Sequence, residues 1–364
     1  MKVKPYLKSF TTEAYVPGEF LAGEAEFLDC SIGCNVFGAS KMVLEAAREY
    51  DWSQIWRCPS PAYKELKGEI ARFWSGYADI QTDQIQIGRG AIDILAGVNN
   101  IFLQEGAEVL GYSPQFMGYV SNIRACGAKY ETVILRPEEN FKFHAERLLE
   151  RIRPEHSLIY IDNPNNPTGQ VISLNAVEAV VRETRNKDVA VMVDEAYGDY
   201  MEQGDSAISL INKYDNLAVA RSFDKGLGLC SLKIGYGILS VELSAYFNKV
   251  TPPFRTTAVG SYLAAVALSD RDFVASCRKK VKAEKGKLIR GLNEKNYLTS
   301  ESYEHCPLLL VGHKNEEVDL KQELVSKGIL TSPGTGFDNL SKNYVRVSLP
   351  ARAEDFLVRL DRSS

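Results

Sequence analysis

Leu158-Ile159-Tyr160-Ile161 runs directly into Asp162-Asn163-Pro164-Asn165-Asn166-Pro167-Thr168-Gly169. The apolar run is too short and too uniform for a half-exposed strand; it reads as one buried on both faces. The polar stretch holds two X-Pro bonds and a glycine, which make a rigid turn and not a helix. As structure alone this is a tight loop with a cis-proline. As a site it is an asparagine amide held toward a cleft. Similar apolar runs are predicted strands at 84–87, 108–111, 130–134, 190–193, 218–221 and 234–238. Helical stretches fall between them, among them 62–74, 92–102 and 174–185. Such alternation implies an α/β fold with a mainly parallel central sheet and helices on both faces.

Three more polar motifs end predicted strands, where open α/β sheets bind ligands. Val193-Asp194-Glu195-Ala196-Tyr197 puts an acid straight after a buried strand. Desolvated there, it needs a cationic or protonated partner; a structural salt bridge is the plain alternative. Arg221-Ser222-Phe223-Asp224-Lys225-Gly226 places a lysine beside a glycine, free to reach inward as an imine-forming amine, or else to sit as a solvated surface lysine. Gly88-Arg89-Gly90-Ala91-Ile92 precedes a helix start and offers backbone N–H groups to an anion. Asp93 removes the dinucleotide-binding glycine fingerprint there, so a nicotinamide enzyme is disfavoured. Together the four motifs supply an anion pocket, a buried acid, a fixed amide and a lysine amine. That is the inventory required by pyridoxal 5′-phosphate (PLP).

With 364 residues, 45% of them hydrophobic, the chain suits two domains better than one. The expected division is an N-terminal arm and part of a small domain at 1–40, a large domain at 41–255 and a C-terminal small domain at 256–364. The last is expected to hold a long helix at 270–293 and then strand, helix, strand, helix. Lys279, Lys280, Lys282, Lys285 and Lys287 are read as a solvated face of the long helix. A formal charge of −4 gives no reason to expect nucleic acid or an anionic membrane as partner. No run approaches the ~18 apolar residues that span a bilayer. The lysine-rich start, Met1 to Phe10, leads into no apolar h-region, so no signal peptide is expected. Seven scattered cysteines without a Cys-x-x-Cys pair suggest reduced thiols in the cytoplasm and no metal.

On these motifs the chain resembles the class I/II aminotransferases of PLP fold type I, most of all their histidinol-phosphate aminotransferase branch, from about residue 28 to 361. The resemblance implies a homodimer that moves the amino group of an L-amino acid to a 2-oxo acid. It implies that Lys225 holds PLP as a Schiff base and shuttles a proton, and that Asp194 pairs with the ring nitrogen. Asn166 and Tyr197 would donate to the ring oxygen, and Phe116 would stack on the ring. Ala91, Ile92 and Ser222 would bind the phosphate, with Lys233 where the family has arginine. Arg346 would grip the substrate carboxylate, and Gly33 and Asn35 belong to the segment that helps form the substrate pocket.

Three positions depart from the family pattern. Asp224 replaces a serine before the lysine, Lys233 replaces an arginine, and Cys58 stands where a tyrosine is usual before Pro59. The phosphate cup is therefore modified, with Arg89, Arg57 or a water as compensation. Arg57 and Arg255 are candidates for a second substrate arginine, each better read as structural. A PLP decarboxylase or lyase uses the same residues and is the alternative to transfer. A non-catalytic PLP-binding sensor is disfavoured, because no DNA-binding module precedes the domain.

Overall fold

The computed structural model describes residues 1–8 and 27–362; the expected N-terminal arm lies partly outside these residues. A short strand β1 (Leu28–Asp29) comes first. Seven strands then build the main sheet: β2 (Ile85–Gly88), β3 (Glu108–Ser113), β4 (Lys129–Ile134), β5 (His156–Asp162), β6 (Ala190–Glu195), β7 (Leu217–Ser222) and β8 (Gly235–Leu239). Their spatial order is β2-β8-β7-β6-β5-β3-β4. All pairs from β7 to β4 are parallel, and β8 runs antiparallel to both its neighbours. The mainly parallel α/β sheet expected from the apolar runs is the one observed.

Strand alternation divides the core in two. Ile159, Ile161, Val191, Val193, Leu217 and Val219 point to one face, against helices Lys64–Trp74, Leu174–Arg185 and Ala258–Ser269. Leu158, Tyr160, Ala190, Met192, Ala218 and Ala220 point to the other, against helices Ala91–Phe102, Met117–Ala125 and Val241–Val250. Successive side chains of a strand alternate sides, so a wholly apolar run is what a sheet covered twice demands. Helix Lys64–Trp74 starts two residues later than predicted because Tyr63 adopts φ 44°, a left-handed conformation that precedes the helix.

A second core follows. Strands β9 (Leu298–Thr299), β10 (Leu308–Gly312), β12 (Ser332–Pro333) and β13 (Tyr344–Ser348) form an antiparallel sheet in the order β12-β13-β10-β9. Strand β11 (Ile329–Leu330) pairs in parallel with β1, and Cys30 packs into this core. Helices Arg271–Glu294, Leu320–Ser326 and Ala353–Leu360 belong to the same part; Asp270 caps the first by accepting from Phe273 N at 3.1 Å. Among the described residues no helix is long and apolar enough to cross a membrane.

One lysine of the expected solvated face is misread. Lys279, Lys280, Lys282 and Lys287 are exposed, but Lys285 is 2% exposed. Its Nζ donates to Ser302 Oγ (2.5 Å) and to the carbonyls of Cys306 (2.7 Å), Leu308 (2.8 Å) and Tyr303 (2.9 Å). It ties the long helix to the loop that enters β10. The helical period places it on the apolar side with Val281, Leu288 and Leu292. Replacing Lys285 by alanine strands several buried acceptors. It is expected to cost about 3 kcal/mol in urea unfolding, against less than ~0.5 kcal/mol for Lys279→Ala.

Candidate active site

Strand ends deliver the site. Asp162 and Asp194 stand in register across the β5–β6 pair, and β7 closes with Ser222. Beyond these ends lies a cavity of about 310 Å³ lined by Gly33, Gly90, Ala91, Ile92, Phe116, Asn166, Asp194, Tyr197, Ser222, Asp224, Lys225 and Lys233, among others.

The two carboxylates differ in their hydrogen bonds. Asp162 accepts from Tyr112 Oη (2.8 Å), Gln115 Nε2 (2.9 Å), Asn166 N (2.9 Å) and Asn165 Nδ2 (3.1 Å). It is the clamp that shapes the Asn-Pro turn, whose Asn163–Pro164 bond is cis. Asp194 accepts from Ala196 N (3.0 Å) and Tyr160 Oη (3.2 Å). Burial, reinforced by the Asp162 charge, pushes the Asp194 carboxyl up to about 7, against those two donors and Lys225. A cation beside Asp194 relieves that cost.

Lys225 is half-buried, its Nζ 5.3 Å from the Tyr197 ring centroid. Its loop is fixed from behind. The Asp199 side chain lies directly against it at Gly226. Arg221 donates to Asp199 (2.6 Å) and to Glu195 (3.1 Å), with Trp74 against its guanidinium. A β-carbon at Gly226 would collide with the Asp199 side chain. On the cavity's open side a β-carbon at Gly33 would strike the Tyr197 hydroxyl and come within 3.6 Å of Lys225 Nζ. Only glycine lets the N-terminal segment pass so close over the amine.

At the other end Gly90 (φ 79°) leads into helix Ala91–Phe102, whose first N–H groups face the cavity mouth. Ser222 stands opposite, its Oγ accepting from Asp224 N at 3.1 Å. Lys233 donates to Asp224 Oδ2 at 2.9 Å, while Asp224 Oδ1 is buried with no hydrogen-bond partner among the described residues. The donor set fits a ligand with an anionic group at the helix end and a basic ring nitrogen at Asp194, with Asp224 as the one discordant charge.

The profile of the family described as aminotransferase class I and II matches residues 26–359. The chain belongs to the class I and II aminotransferases. It is 29% identical over 354 residues to the histidinol-phosphate aminotransferase of Methanocaldococcus jannaschii, covering 96% of this chain and 91% of that one. It is likewise 29% identical over 354 residues to the Methanothermobacter thermautotrophicus enzyme of the same name, covering 94% and 92%. In fold it is similar to the crystal structure of histidinol-phosphate aminotransferase from Sinorhizobium meliloti in complex with pyridoxal-5′-phosphate. The TM-score there is 0.86 at 22% identity, covering 99% of this chain and 96% of that one. A tetra mutant of Thermus thermophilus aspartate aminotransferase gives a TM-score of 0.83 at 20% identity, covering 99% and 98%.

Within this aminotransferase, most of the residues expected at the site do line the cavity. Asn35 and Arg346 do not. The Asn35 amide donates to Gly226 O (2.8 Å), so it pins the N-terminal segment to the lysine loop. Arg346 is fully buried one layer behind the wall, donating to Ser31 O, Ser332 Oγ (2.8 Å) and Asn166 Oδ1 (3.4 Å); burial pulls its pKa down to about 9. Arg255 is structural, paired with Asp93 at 2.7 Å, and Arg57 and Cys58 are exposed outside the cavity wall. The Arg221–Asp199–Glu195 group escaped the sequence reading. Its signal was an arginine after four apolar strand residues, a charge that cannot be buried alone.

The raised Asp194 pKa makes cofactor-free stability depend on pH. The folded protein keeps a proton that the unfolded chain releases near its ordinary ~3.9, so the stabilisation is complete below that value and fades as pH rises through about 7. Between pH 5.5 and 7.5 the cofactor-free protein should lose about 2 kcal/mol from this group, roughly 2–3 °C in melting temperature. Asp194→Asn should remove most of that slope in a calorimetric pH series; an unchanged slope refutes the assignment.

Proposed function

We propose that this class I/II aminotransferase binds PLP in the cavity at the strand ends and transfers the amino group of an L-amino acid to a 2-oxo acid. The observation that carries the reading is the pairing, in one cavity, of the Lys225 amine with a buried acid that lacks only a cation. When bound, PLP supplies an aldehyde that condenses with amines and a ring that accepts the electron pair released at the substrate α-carbon. Lys225 Nζ is the amine that would hold the cofactor's aldehyde carbon and would carry the proton of the substrate α-carbon. Asp194 keeps the ring nitrogen protonated. Asn166 and Tyr197 would hold the ring oxygen, and Phe116 would pack on the ring. Ala91 N, Ile92 N and Ser222 Oγ would hold the phosphate, with Lys233 as the nearby cation. Gly33 leaves room over the amine, Asn35 anchors its segment, and Arg346, behind Ser31 and Asn166, would receive the substrate carboxylate only by giving up its 3.4 Å bond to Asn166 Oδ1.

We further propose that the second core begins at the long helix, after Ser269. Helix Ala258–Ser269 packs into the first core, which supports this over a division after residue 255. Exposed Trp52, Ile55 and Trp56, at 51%, 74% and 75%, support a homodimer through this apolar surface. Seven free thiols support residence in the cytoplasm.

The deciding experiment is a panel of amino acids added singly to PLP-loaded protein. Transfer is expected to bleach the yellow absorbance with 2-oxo acid and pyridoxamine phosphate as products. Lys225→Ala should abolish turnover by at least ~10³-fold. Release of carbon dioxide or ammonia instead identifies decarboxylation or elimination. The acid in the phosphate cup gives a separate outcome. Asp224→Ser removes a buried negative charge and frees Lys233, so PLP should bind about tenfold more tightly in a fluorescence titration. Pyridoxal, without the phosphate, should be unaffected; an equal gain for both places Asp224 away from the phosphate.

A further inference from the structure

Two thiols outside this chemistry meet at the cavity mouth. Cys34 follows Gly33 in the segment over Lys225, and Cys230 opens the turn Cys230–Leu232 beyond the lysine. Their sulfurs lie 3.0 Å apart although 196 positions separate them in sequence. Both side chains are half-buried, and Cys230 lines the cavity, so a small oxidant reaches them through the substrate's own entrance.

The surroundings divide the labour between them. The Cys34 thiol donates to the Cys230 sulfur, and Lys225 and Lys233 add positive charge, so Cys230 is held well below the ordinary thiol range against the cost of burial. Lys233 Nζ is 3.7 Å from that sulfur. The same hydrogen bond, with burial, pushes Cys34 up. With the sulfurs 3.0 Å apart and the Lys233 ammonium nearer Cys230, the pair is placed to act as an attacking and a resolving cysteine.

We propose that Cys34 and Cys230 are an oxidative modification site, at which a hydroperoxide joins them in a disulfide that pins the Gly33 segment over Lys225 and closes the cavity to substrate. The Cys230 thiolate attacks the distal peroxide oxygen; an S–O bond forms, the O–O bond breaks, and the leaving alkoxide or hydroxide takes up a proton. The Cys34 sulfur then attacks Cys230; the S–S bond forms, and the S–O bond breaks to release water with the Cys34 proton. Two thiols lose two electrons and the peroxide gains them. A thiol reductant reverses the change. The linkage acts on access because the segment it fixes already touches Tyr197 and passes Lys225 at Gly33.

The test uses the full chain with its cofactor and a few equivalents of hydrogen peroxide. After free thiols are blocked, non-reducing tryptic mass spectrometry should show peptide 9–41 joined to peptide 226–233, with fragmentation placing the bond at Cys34 and not Cys30. Turnover should fall about tenfold and return with dithiothreitol. Cys34→Ser and Cys230→Ser should each retain, under peroxide, whatever turnover they show when reduced. Cys230 recovered as sulfinic acid beside a free Cys34 overturns the proposal, as does a joined pair with unchanged turnover. The mass readout is independent of the cofactor's identity, so its failure is distinct from failure of the transaminase reading.

Discussion

Two buried carboxylates in register on adjacent strands, Asp162 and Asp194, set the terms for the rest of the molecule. Each is almost wholly removed from water, and each raises the other's cost of ionisation. The protein treats them differently. Asp162 is surrounded by amide and hydroxyl donors, and in satisfying it those groups fold the Asn-Pro turn. Asp194 receives two donors and is left short. A buried carboxylate with only two donors gains most from a cationic partner, which is how it comes to select a protonated heterocycle over a neutral one.

The lysine loop is held by charge in a similar way. Arg221 lies between Glu195 and Asp199, all three nearly fully buried, and Asp199 passes the constraint on by packing against Gly226. Removing one member of such a triad leaves an uncompensated charge inside the protein, a cost of several kcal/mol. The lysine itself makes none of these contacts. Its backbone is rigid while its amine stays free, the division that a reactive side chain requires.

Much of this was legible in the sequence, for identifiable reasons. Short, wholly apolar runs marked the double-covered strands, and the polar residues ending them marked the cavity. Lys225, Asp194, Tyr197, Asn166 and Ser222 all meet there because strand ends converge by topology. What escaped depends on distances along no single element. Lys285 looked like its exposed neighbours, since a run of lysines hides which one the helix turns inward. Asn35 belongs to the segment expected at the substrate pocket, but its amide partner, the carbonyl of residue 226, lies 191 positions away. The meeting of Cys34 and Cys230 had no local sign at all.

The N-terminal segment bridges two bodies on a very short leash. Cys30 N bonds Leu330 O and Ser31 O receives Arg346, both in the second core, whereas Asn35 grips Gly226 of the first. Four residue steps separate those anchorages, and a fully extended chain covers at most about 14 Å over that length. Any hinge motion between the cores must stay inside that reach at this point, or release one end. The strap over the amine therefore works as a travel stop, limiting how far the cleft gapes whenever both anchorages hold.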